Sequence, residues 1–131
     1  MPRPLPDAAR TMLDAPTFPT LATVNEDGSP QATPHWVSRD GDAILLSTVK
    51  GRRHERNLRR DPRVSVAVVH PEDPYKYLEA RGVVTLTEEG GRELIDALAK
   101  KYLDLDEYPW DTPDAVRVVI RLEPEHLVVQ A

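Results

Sequence analysis

The sequence contains no cysteine, and this absence excludes disulfide bonds and thiolate chemistry. It contains only four histidines, and none of them has the spacing of a metal-ligand pair, so no metal site is expected. No apolar run approaches the length that spans a bilayer, and the N-terminus lacks the apolar core of a signal peptide. These absences predict a soluble protein of the cytoplasm.

Aromatic residues are also few, at 5 % of the chain, whereas 13 prolines occur among the 131 residues. The prolines indicate many short elements joined by firm turns. A chain of this length is predicted to form one domain, residues 1–131, that is large enough to bury a core.

The apolar patterning predicts three helices and seven strands in the order α-βββ-α-ββ-α-ββ. The helices are predicted at Leu5–Ala15, at Arg52–Arg60 and from an N-cap at Thr87 to about Leu103. The strands are predicted at Thr20–Asn25, Gln31–Ser38, Ala43–Thr48, Val64–Val69, Tyr75–Leu86, Val116–Leu122 and His126–Gln130. Pro34 predicts that its strand lies at a sheet edge or contains a bulge, because proline cannot donate to the ladder. Gly82 is a candidate position for a bulge in the strand Tyr75–Leu86. The order indicates a mostly β fold, a closed antiparallel sheet with helices at its margin.

Positive charge is concentrated in one segment, GRRHERNLRRDPR at Gly51–Arg63. Residues 50–63 carry seven basic and two acidic side chains, a local charge of +5, in a chain whose net charge is −5. The remainder therefore carries −10 and would repel a phosphate backbone, which argues against a nucleic-acid surface. A focused basic patch suits a small anionic ligand better.

The position of this basic segment indicates the kind of anion. It follows an apolar strand and opens with a glycine, and the free N–H groups at the start of a helix attract anions. Arg52, Arg56 and Arg60 are spaced to share one helix face, and arginine binds phosphate through two parallel hydrogen bonds. Further hydroxyl and ammonium donors lie just upstream: Ser47, Thr48 and Lys50. The segment therefore predicts a phosphate-bearing ligand at the end of the third strand.

A solvated helix face balanced by carboxylates is the alternative interpretation of the same segment. Arg59, Arg60 and Arg63 are assigned to such a face, and Leu58 is assigned to the core. Three of the four histidines have no recognisable partner and receive no role: His35, His70 and His126.

Three stretches carry a resemblance to a known family. GRRHERNLRRDPRVSV preceded by AILLSTVK, the hairpin LATVNEDGSPQATPHWV and the strand YKYLEARGVVTL resemble the pyridoxamine-phosphate-oxidase-like split β-barrel proteins. The chain is most similar to the branch of that family whose members bind the deazaflavin coenzyme F420. The likeness covers nearly the whole chain, but its motif is not specific for the cofactor.

The resemblance implies a set of cofactor-binding residues. Those implied to hold the cofactor phosphate are Ser47, Thr48, Lys50, Arg52, Arg53 and Arg56. Those implied to lie along the ring or the ribityl chain are Thr33, Pro34 and Trp36. Tyr75 and Tyr77 match aromatic positions near the cofactor tail, and Arg117 matches a basic residue that reaches the cofactor from a second subunit. His54 stands where close relatives often carry a phosphate-binding lysine, so that either Arg53 or Lys50 compensates or the cofactor differs.

These residues also have ordinary structural explanations. Trp36 suits a core or dimer contact as well as a ring contact, and Tyr75 and Tyr77 suit packing on one strand face. Arg117 suits a surface ion pair. Trp110, in an acidic loop, suits an anchor for that loop as well as a pocket wall.

The resemblance implies an oxidoreductase that transfers hydride from reduced coenzyme F420 to activated double bonds in enones, lactones or heterocycles. It implies a homodimer with the cofactor at its interface, and neither a nucleic-acid nor a membrane partner. FMN is the nearest alternative cofactor, and a non-catalytic flavin-, deazaflavin- or haem-binding protein is the alternative function. The sequence offers no recognisable catalytic residues, as expected where a cofactor carries out the hydride chemistry.

Overall fold

The computed structural model describes residues 2–131. It has three helices: α1 (Asp7–Asp14), α2 (Arg53–Arg60) and α3 (Gly91–Leu103). Its strands are β1 (Thr20–Val24), β2 (Pro30–Pro34), β3 (Val37–Asp40), β4 (Ala43–Val49), β5 (Arg63–Val69), β6 (Tyr77–Thr87), β7 (Arg117–Leu122) and β8 (His126–Gln130). The predicted order of elements is reproduced, except that the second predicted strand is two strands.

The strands form one antiparallel sheet that curls into a split barrel. Its pairing order is β2-β1-β5-β6-β7-β4-β3, and β8 adds to β6. The long strand β6 joins the two halves, because Tyr77–Arg81 pairs with β8 and Val84–Thr87 pairs with β7 on the same edge. The other edge of β6 pairs with β5 from Tyr77 to Val83. The predicted fold class, a mostly β split barrel with marginal helices, is confirmed.

The predicted strand Gln31–Ser38 breaks after Pro34. Pro34 pairs with Thr20 at the end of β2, and proline has no N–H with which to continue the ladder. Pairing resumes at Val37, which faces Leu46 of β4. Because β2 and β3 are the two ends of the pairing path, the connection between them crosses the seam of the barrel.

Two further local predictions are wrong. Gly82 is not a bulge, because β6 stays in regular register with β5 through it. A Cβ at this position would lie 3.0 Å from Leu122 Cδ1 and 3.2 Å from the Glu123 carbonyl oxygen, so the glycine allows the β7–β8 connection to approach. Thr87 is not an N-cap but the last residue of β6, and α3 starts four residues later.

Glycine rather than threonine sets the start of α3. Gly90 occupies the N-cap position in the left-handed region, at φ 80°, where glycine has no steric penalty. A Cβ on Gly91 would lie 2.3 Å from the Arg117 carbonyl oxygen, so only glycine fits between this helix and β7. The start of α3 is thereby fixed against the strand that carries Arg117.

Two apolar clusters hold the fold together. The larger one fills the barrel and includes the buried face of α1, with Ala9, Met12 and Leu13 each at most 1 % exposed. The smaller one lies beneath α3 and is built on Leu94, Ile95 and Leu98. Aromatic side chains pack against this smaller cluster: Trp36, Tyr102 and Tyr108.

Candidate functional site

An open groove of about 320 Å³ lies where the β2–β3 connection crosses the barrel seam. It is lined by Phe18, Pro34, His35, Trp36, Ser47, Arg52, Ile95, Leu98, Tyr108 and Arg117. The lining combines aromatic and aliphatic side chains with two guanidinium groups and an imidazole. Such a mixture of apolar walls and a few polar groups is typical of small-molecule sites.

The aromatic wall of the groove is built around Trp36. Its indole stacks on the Tyr102 ring, with centroids 5.0 Å apart and 11° between the planes. It also meets the Tyr108 ring edge to face, at 6.0 Å and 80°. The Tyr102 hydroxyl accepts a hydrogen bond from Val37 N–H at 2.9 Å, which ties α3 to the start of β3. The indole is therefore held from two sides in a fixed orientation.

Arg117 lies at the start of β7 and is only 8 % exposed. Its guanidinium donates to the two carboxylate oxygens of Asp111 at 2.8 and 2.6 Å, and to Ser47 Oγ at 3.3 Å. Hydrogen bonding from Arg117, together with the charges of Arg117 and Arg92, holds the pKa of Asp111 below its usual value although burial opposes this. The positive charge of Arg117 is thus balanced within the chain.

The resemblance assigned Arg117 to the cofactor of a second subunit. In the single chain it lines the groove of its own barrel and anchors the α3–β7 loop through Asp111. Its guanidinium also lies 4.8 Å from the centroid of the Tyr108 ring. Its predicted contact with a partner's cofactor stays a prediction.

Two histidines lie together beside the groove. The rings of His35 and His54 meet edge to face, with centroids 4.9 Å apart. His35 Nε2 lies 2.8 Å from Thr33 Oγ1, and His54 Nε2 forms a buried contact with Thr48 Oγ1 at 2.5 Å. Burial, the charge of His54 and the charge of Arg52 lower the pKa of His35 to about 4. Burial and Arg52 also lower the pKa of His54.

His54 therefore points into the protein instead of toward an external anion. It is 7 % exposed and links α2 to β4 through Thr48. Where the resemblance implies a phosphate-binding lysine, this chain has a buried imidazole whose partner is Thr48.

The turn between β4 and α2 is shaped by a buried carboxylate. Gly51, at φ 99°, reverses the chain, and its N–H donates to Glu55 Oε1 at 2.9 Å. Glu55 is 2 % exposed and also accepts from Arg59 Nε. Burial would raise the pKa of Glu55, but the hydrogen bonds from Gly51 and Arg59 and the charges of Arg59 and Lys50 lower it. Glu55 thus remains ionised and fixes the turn.

The basic segment divides into two groups of arginines. Arg59 pairs with Glu55, Arg63 pairs with Asp61 at 2.7 Å, and Arg60 donates to the Val24 carbonyl at 2.7 Å. Arg59 and Arg63 are thus balanced by carboxylates as assigned, whereas Arg60 is engaged by a backbone carbonyl and by Asn57 Oδ1 instead of an acid.

Arg52, Arg53 and Arg56 form the second group, and none of them has a carboxylate partner within residues 2–131. All three are exposed. Arg56 donates to the Gly51 carbonyl at 2.7 Å and so stays close to the turn. Arg52, the N-cap of α2, also lines the groove. This arginine turn, defined as Arg52, Arg53 and Arg56, is the part of the basic segment that remains available to an anion.

The structure brings five of the predicted site residues together in the groove: Pro34, Trp36, Ser47, Arg52 and Arg117. Arg53 and Arg56 do not line it and follow Arg52 on α2. The remaining predicted residues do not line the groove: Thr33, Thr48, Lys50, Tyr75 and Tyr77. Lys50 is engaged with Glu88 at 3.3 Å. Tyr75 is 85 % exposed in the β5–β6 loop, and Tyr77 is 40 % exposed at the start of β6.

Sequence reasoning missed five of the lining residues: Phe18, His35, Ile95, Leu98 and Tyr108. His35 lies between two residues that were predicted, and the break after Pro34 was the signal that could have identified it. Ile95 and Leu98 belong to an apolar helix face whose partner the sequence does not specify. Tyr108 lies in an irregular loop and had no sequence signal.

Two other features of the described chain bear on the kind of site. Among residues 2–131, no three side chains of a metal-binding type come together in a way that could hold a metal ion. No helix in this range is long and apolar enough to cross a membrane.

Comparison with known proteins identifies the family. The family model described as pyridoxamine 5'-phosphate oxidase matches residues 5–130. A solved structure named an F420 reductase is 30 % identical, with a TM-score of 0.83 over 95 % of this chain and 98 % of that one. Two others share the fold at lower identity. A conserved hypothetical protein from Mycobacterium tuberculosis is 23 % identical, with a TM-score of 0.76 over 94 % of this chain and 82 % of that one. General Stress Protein 26 from Bacillus anthracis is 17 % identical, with a TM-score of 0.71 over 94 % and 91 %.

The predicted resemblance is thus confirmed by a family match that extends over almost the entire sequence and by a relative similar over its full length. The chain belongs to the pyridoxamine 5'-phosphate oxidase family.

Proposed function

We propose that this protein is an oxidoreductase that uses coenzyme F420 to reduce activated double bonds of small unsaturated molecules. The observation that carries the proposal is the arginine turn, whose guanidinium groups lack carboxylate partners in the described chain and one of which lines an aromatic groove. The similarity to a structure named an F420 reductase supports the choice of cofactor.

The arginine turn suits the phosphate of such a cofactor. The N-terminus of α2 has no side-chain cap, so the first N–H groups of the helix remain available to an anion. Glu55 accepts the hydrogen bond of the Gly51 N–H, and the Val49 carbonyl accepts that of the Arg52 N–H. The N–H groups that remain for an anion are those of the first helical turn, which begins at Arg53. Arg52 and Arg53 can each offer two parallel hydrogen bonds to phosphate oxygens. His54 takes no part, because it is engaged with Thr48.

The groove suits a planar ring. Trp36 offers an indole held by Tyr102 and Tyr108, and Ile95 and Leu98 supply aliphatic surface. When bound, reduced F420 would supply hydride to an electron-poor carbon of the substrate, while the chain orients the two molecules and limits access of water. The described lining includes no carboxylate, although Asp111 pairs with Arg117 from outside the lining.

We propose in addition that two chains complete each site. A volume of about 320 Å³ is near the lower end of the range of about 300–1,000 Å³ for ligand pockets. An open groove of this size holds only part of a cofactor together with a substrate. Tyr75 and Tyr77 are exposed and free to contribute from a partner subunit, as the resemblance implies.

FMN is the second candidate cofactor, because the family match is to the pyridoxamine 5'-phosphate oxidase model and an FMN phosphate would use the same arginine turn. A non-catalytic flavin-, deazaflavin- or haem-binding role would retain the groove without turnover. Nucleic-acid binding remains disfavoured by the −10 charge outside the basic segment.

A binding titration distinguishes these candidates. F420, FMN and FAD are titrated separately, and quenching of tryptophan fluorescence is followed, since Trp36 lines the groove. We expect saturable binding of one F420 per chain, weaker binding of FMN, and reduction of a cyclic enone when reduced F420 is added. Binding of FMN alone would replace the cofactor in the proposal. Binding of F420 without reduction of any enone would indicate the non-catalytic role, and failure of all three cofactors would refute the proposal.

A further inference from the structure

The proposed reduction delivers a hydride to one carbon of the substrate and requires a proton for its neighbour; this inference rests on that proposed function. Among the groups lining the groove, His35 and Tyr108 are of the types that transfer protons in enzymes. The guanidinium groups of Arg52 and Arg117 are not, because arginine does not give up its proton in proteins. The proton source within the lining is therefore one of these two residues.

His35 is committed to the protein. Its Nε2 lies 2.8 Å from Thr33 Oγ1. The ring is also packed edge to face against His54. With a pKa of about 4, His35 is neutral at physiological pH, so it carries no imidazolium proton to donate. These contacts make His35 a structural support of the β2–β3 connection.

Tyr108 is held firmly although it lies in an irregular loop. Its backbone N–H donates to Asp96 Oδ1 at 2.9 Å, and its carbonyl accepts from Arg92 Nη2 at 2.7 Å. Both partners belong to α3, and Arg92 of this helix also pairs with Asp111 of the same loop at 3.1 Å, so the loop is fixed to the helix on both sides of the ring. The ring is fixed by Trp36, by Trp110 at 5.4 Å and by the Arg117 guanidinium.

The hydroxyl of Tyr108, in contrast, has no hydrogen-bond partner among residues 2–131. Within this range, Tyr108 forms hydrogen bonds only through its backbone N–H and carbonyl. The hydroxyl of Tyr102 in the same aromatic cluster accepts from Val37 N–H and donates to the Thr17 carbonyl. The two phenols thus differ in one respect: Tyr102 is satisfied inside the fold, and Tyr108 is positioned at the groove with its hydroxyl available. We infer that Tyr108 is the catalytic proton donor of this site.

An enone substrate would gain a hydride at its β-carbon and a proton at its α-carbon. Hydride from reduced F420 forms a C–H bond at the β-carbon, and the electron pair of the C=C bond moves toward the carbonyl to give an enolate. The O–H bond of Tyr108 breaks, and its proton forms a C–H bond at the α-carbon. The phenolate then takes a proton from water, so the substrate gains one hydride and one proton, and F420 is the species oxidised.

The test is reduction in D₂O of a cyclic enone that bears a methyl group on its α-carbon, with reduced F420 as the hydride source. Protonation of that carbon creates a stereocentre, so the enantiomer ratio of the product, read by NMR with a chiral shift reagent, reports from which face the solvent-derived deuterium arrived. We expect the wild-type protein to deliver deuterium to one face. We expect Tyr108→Phe to lower kcat by at least about 100-fold, the lower limit for loss of a general acid, and to give both faces as water replaces it. The Kd for F420, measured by fluorescence, should not change.

Tyr102→Phe is the matched control, because it removes a hydroxyl from the same cluster. It should lower the denaturation midpoint through loss of two hydrogen bonds but leave deuterium on one face. Wild-type kcat and one-face delivery in Tyr108→Phe would overturn the inference, as would loss of F420 binding in that variant. Loss of face selectivity in His35→Asn with Tyr108→Phe unaffected would assign the proton to His35. A wild-type protein that binds no F420, or binds it and reduces no enone, would refute the proposed function itself.

Discussion

Replacement of Arg52 by alanine tests the arginine turn, because Arg52 is the member of that turn which lines the groove. It forms no ion pair within the described chain, so its removal leaves no buried carboxylate without a partner. A change in ligand affinity will therefore reflect a lost contact rather than a damaged fold.

The structure sets the size of the effect. A hydrogen bond to a charged partner contributes about 1.5–3 kcal/mol, and about 1.4 kcal/mol changes a dissociation constant tenfold. Arg52 is exposed and screened by solvent, so the lower half of this range applies. We expect Arg52→Ala to weaken F420 binding roughly 10- to 40-fold by these values.

The assay is a fluorescence titration with F420 at two salt concentrations, with Arg63→Ala as the control. Arg63 belongs to the same basic segment and carries the same charge, but it pairs with Asp61 away from the groove. The control should bind F420 as the wild-type does, and added salt should weaken the wild-type more than Arg52→Ala. Equal losses in the two variants would mean that net charge alone matters, and no loss in Arg52→Ala would refute the proposed phosphate contact.

Three further predictions concern the framework around the groove. Gly91→Ala should lower the free energy of unfolding, measured by urea denaturation, by about 1–3 kcal/mol, because the new Cβ would lie 2.3 Å from the Arg117 carbonyl oxygen. A variant as stable as the wild-type would contradict this contact. The pKa of His35 is about 4 in the folded chain against 6.5 ordinarily, so the unfolded chain binds more protons between these values. The free energy of unfolding should therefore fall by up to about 3 kcal/mol as pH decreases from about 6.5 toward 4, and His35→Asn should flatten that dependence. Parallel plots of stability against pH for the wild-type and the variant would argue against a desolvated neutral imidazole. Glu55→Gln should weaken F420 binding by loosening the turn at Gly51 while the groove lining is unchanged, and a titration equal to wild-type would show that the turn does not need its carboxylate.

The sequence predicted the framework well because its signals are local. Alternating apolar residues, prolines and glycines identified nearly every strand, and clustered arginines indicated the segment that borders the groove. The break after Pro34 could have been anticipated, since a residue without an N–H ends a ladder. The break forms one wall of the groove because of how distant strands pair. A local sequence pattern does not contain that pairing.

The division of the arginines into two groups shows the same limit. Arg59, Arg60 and Arg63 were assigned to a balanced, solvated face, and the structure pairs Arg59 and Arg63 with carboxylates, whereas Arg60 donates to the Val24 carbonyl. The roles of His54 and Arg117 depend on partners six and 70 residues away, Thr48 and Ser47, and spacing alone does not specify such contacts. Tyr108 reaches the groove only because α3 holds its loop, so no pattern in its own segment announces it.

A crystal structure of this protein bound to F420 would test the central claim most directly. We predict that the cofactor phosphate lies within hydrogen-bonding distance of the Arg52 guanidinium and of the first N–H groups of α2, with the ring against Trp36. A phosphate bound elsewhere, with Arg52 turned to solvent and the groove filled by other groups, would contradict the account.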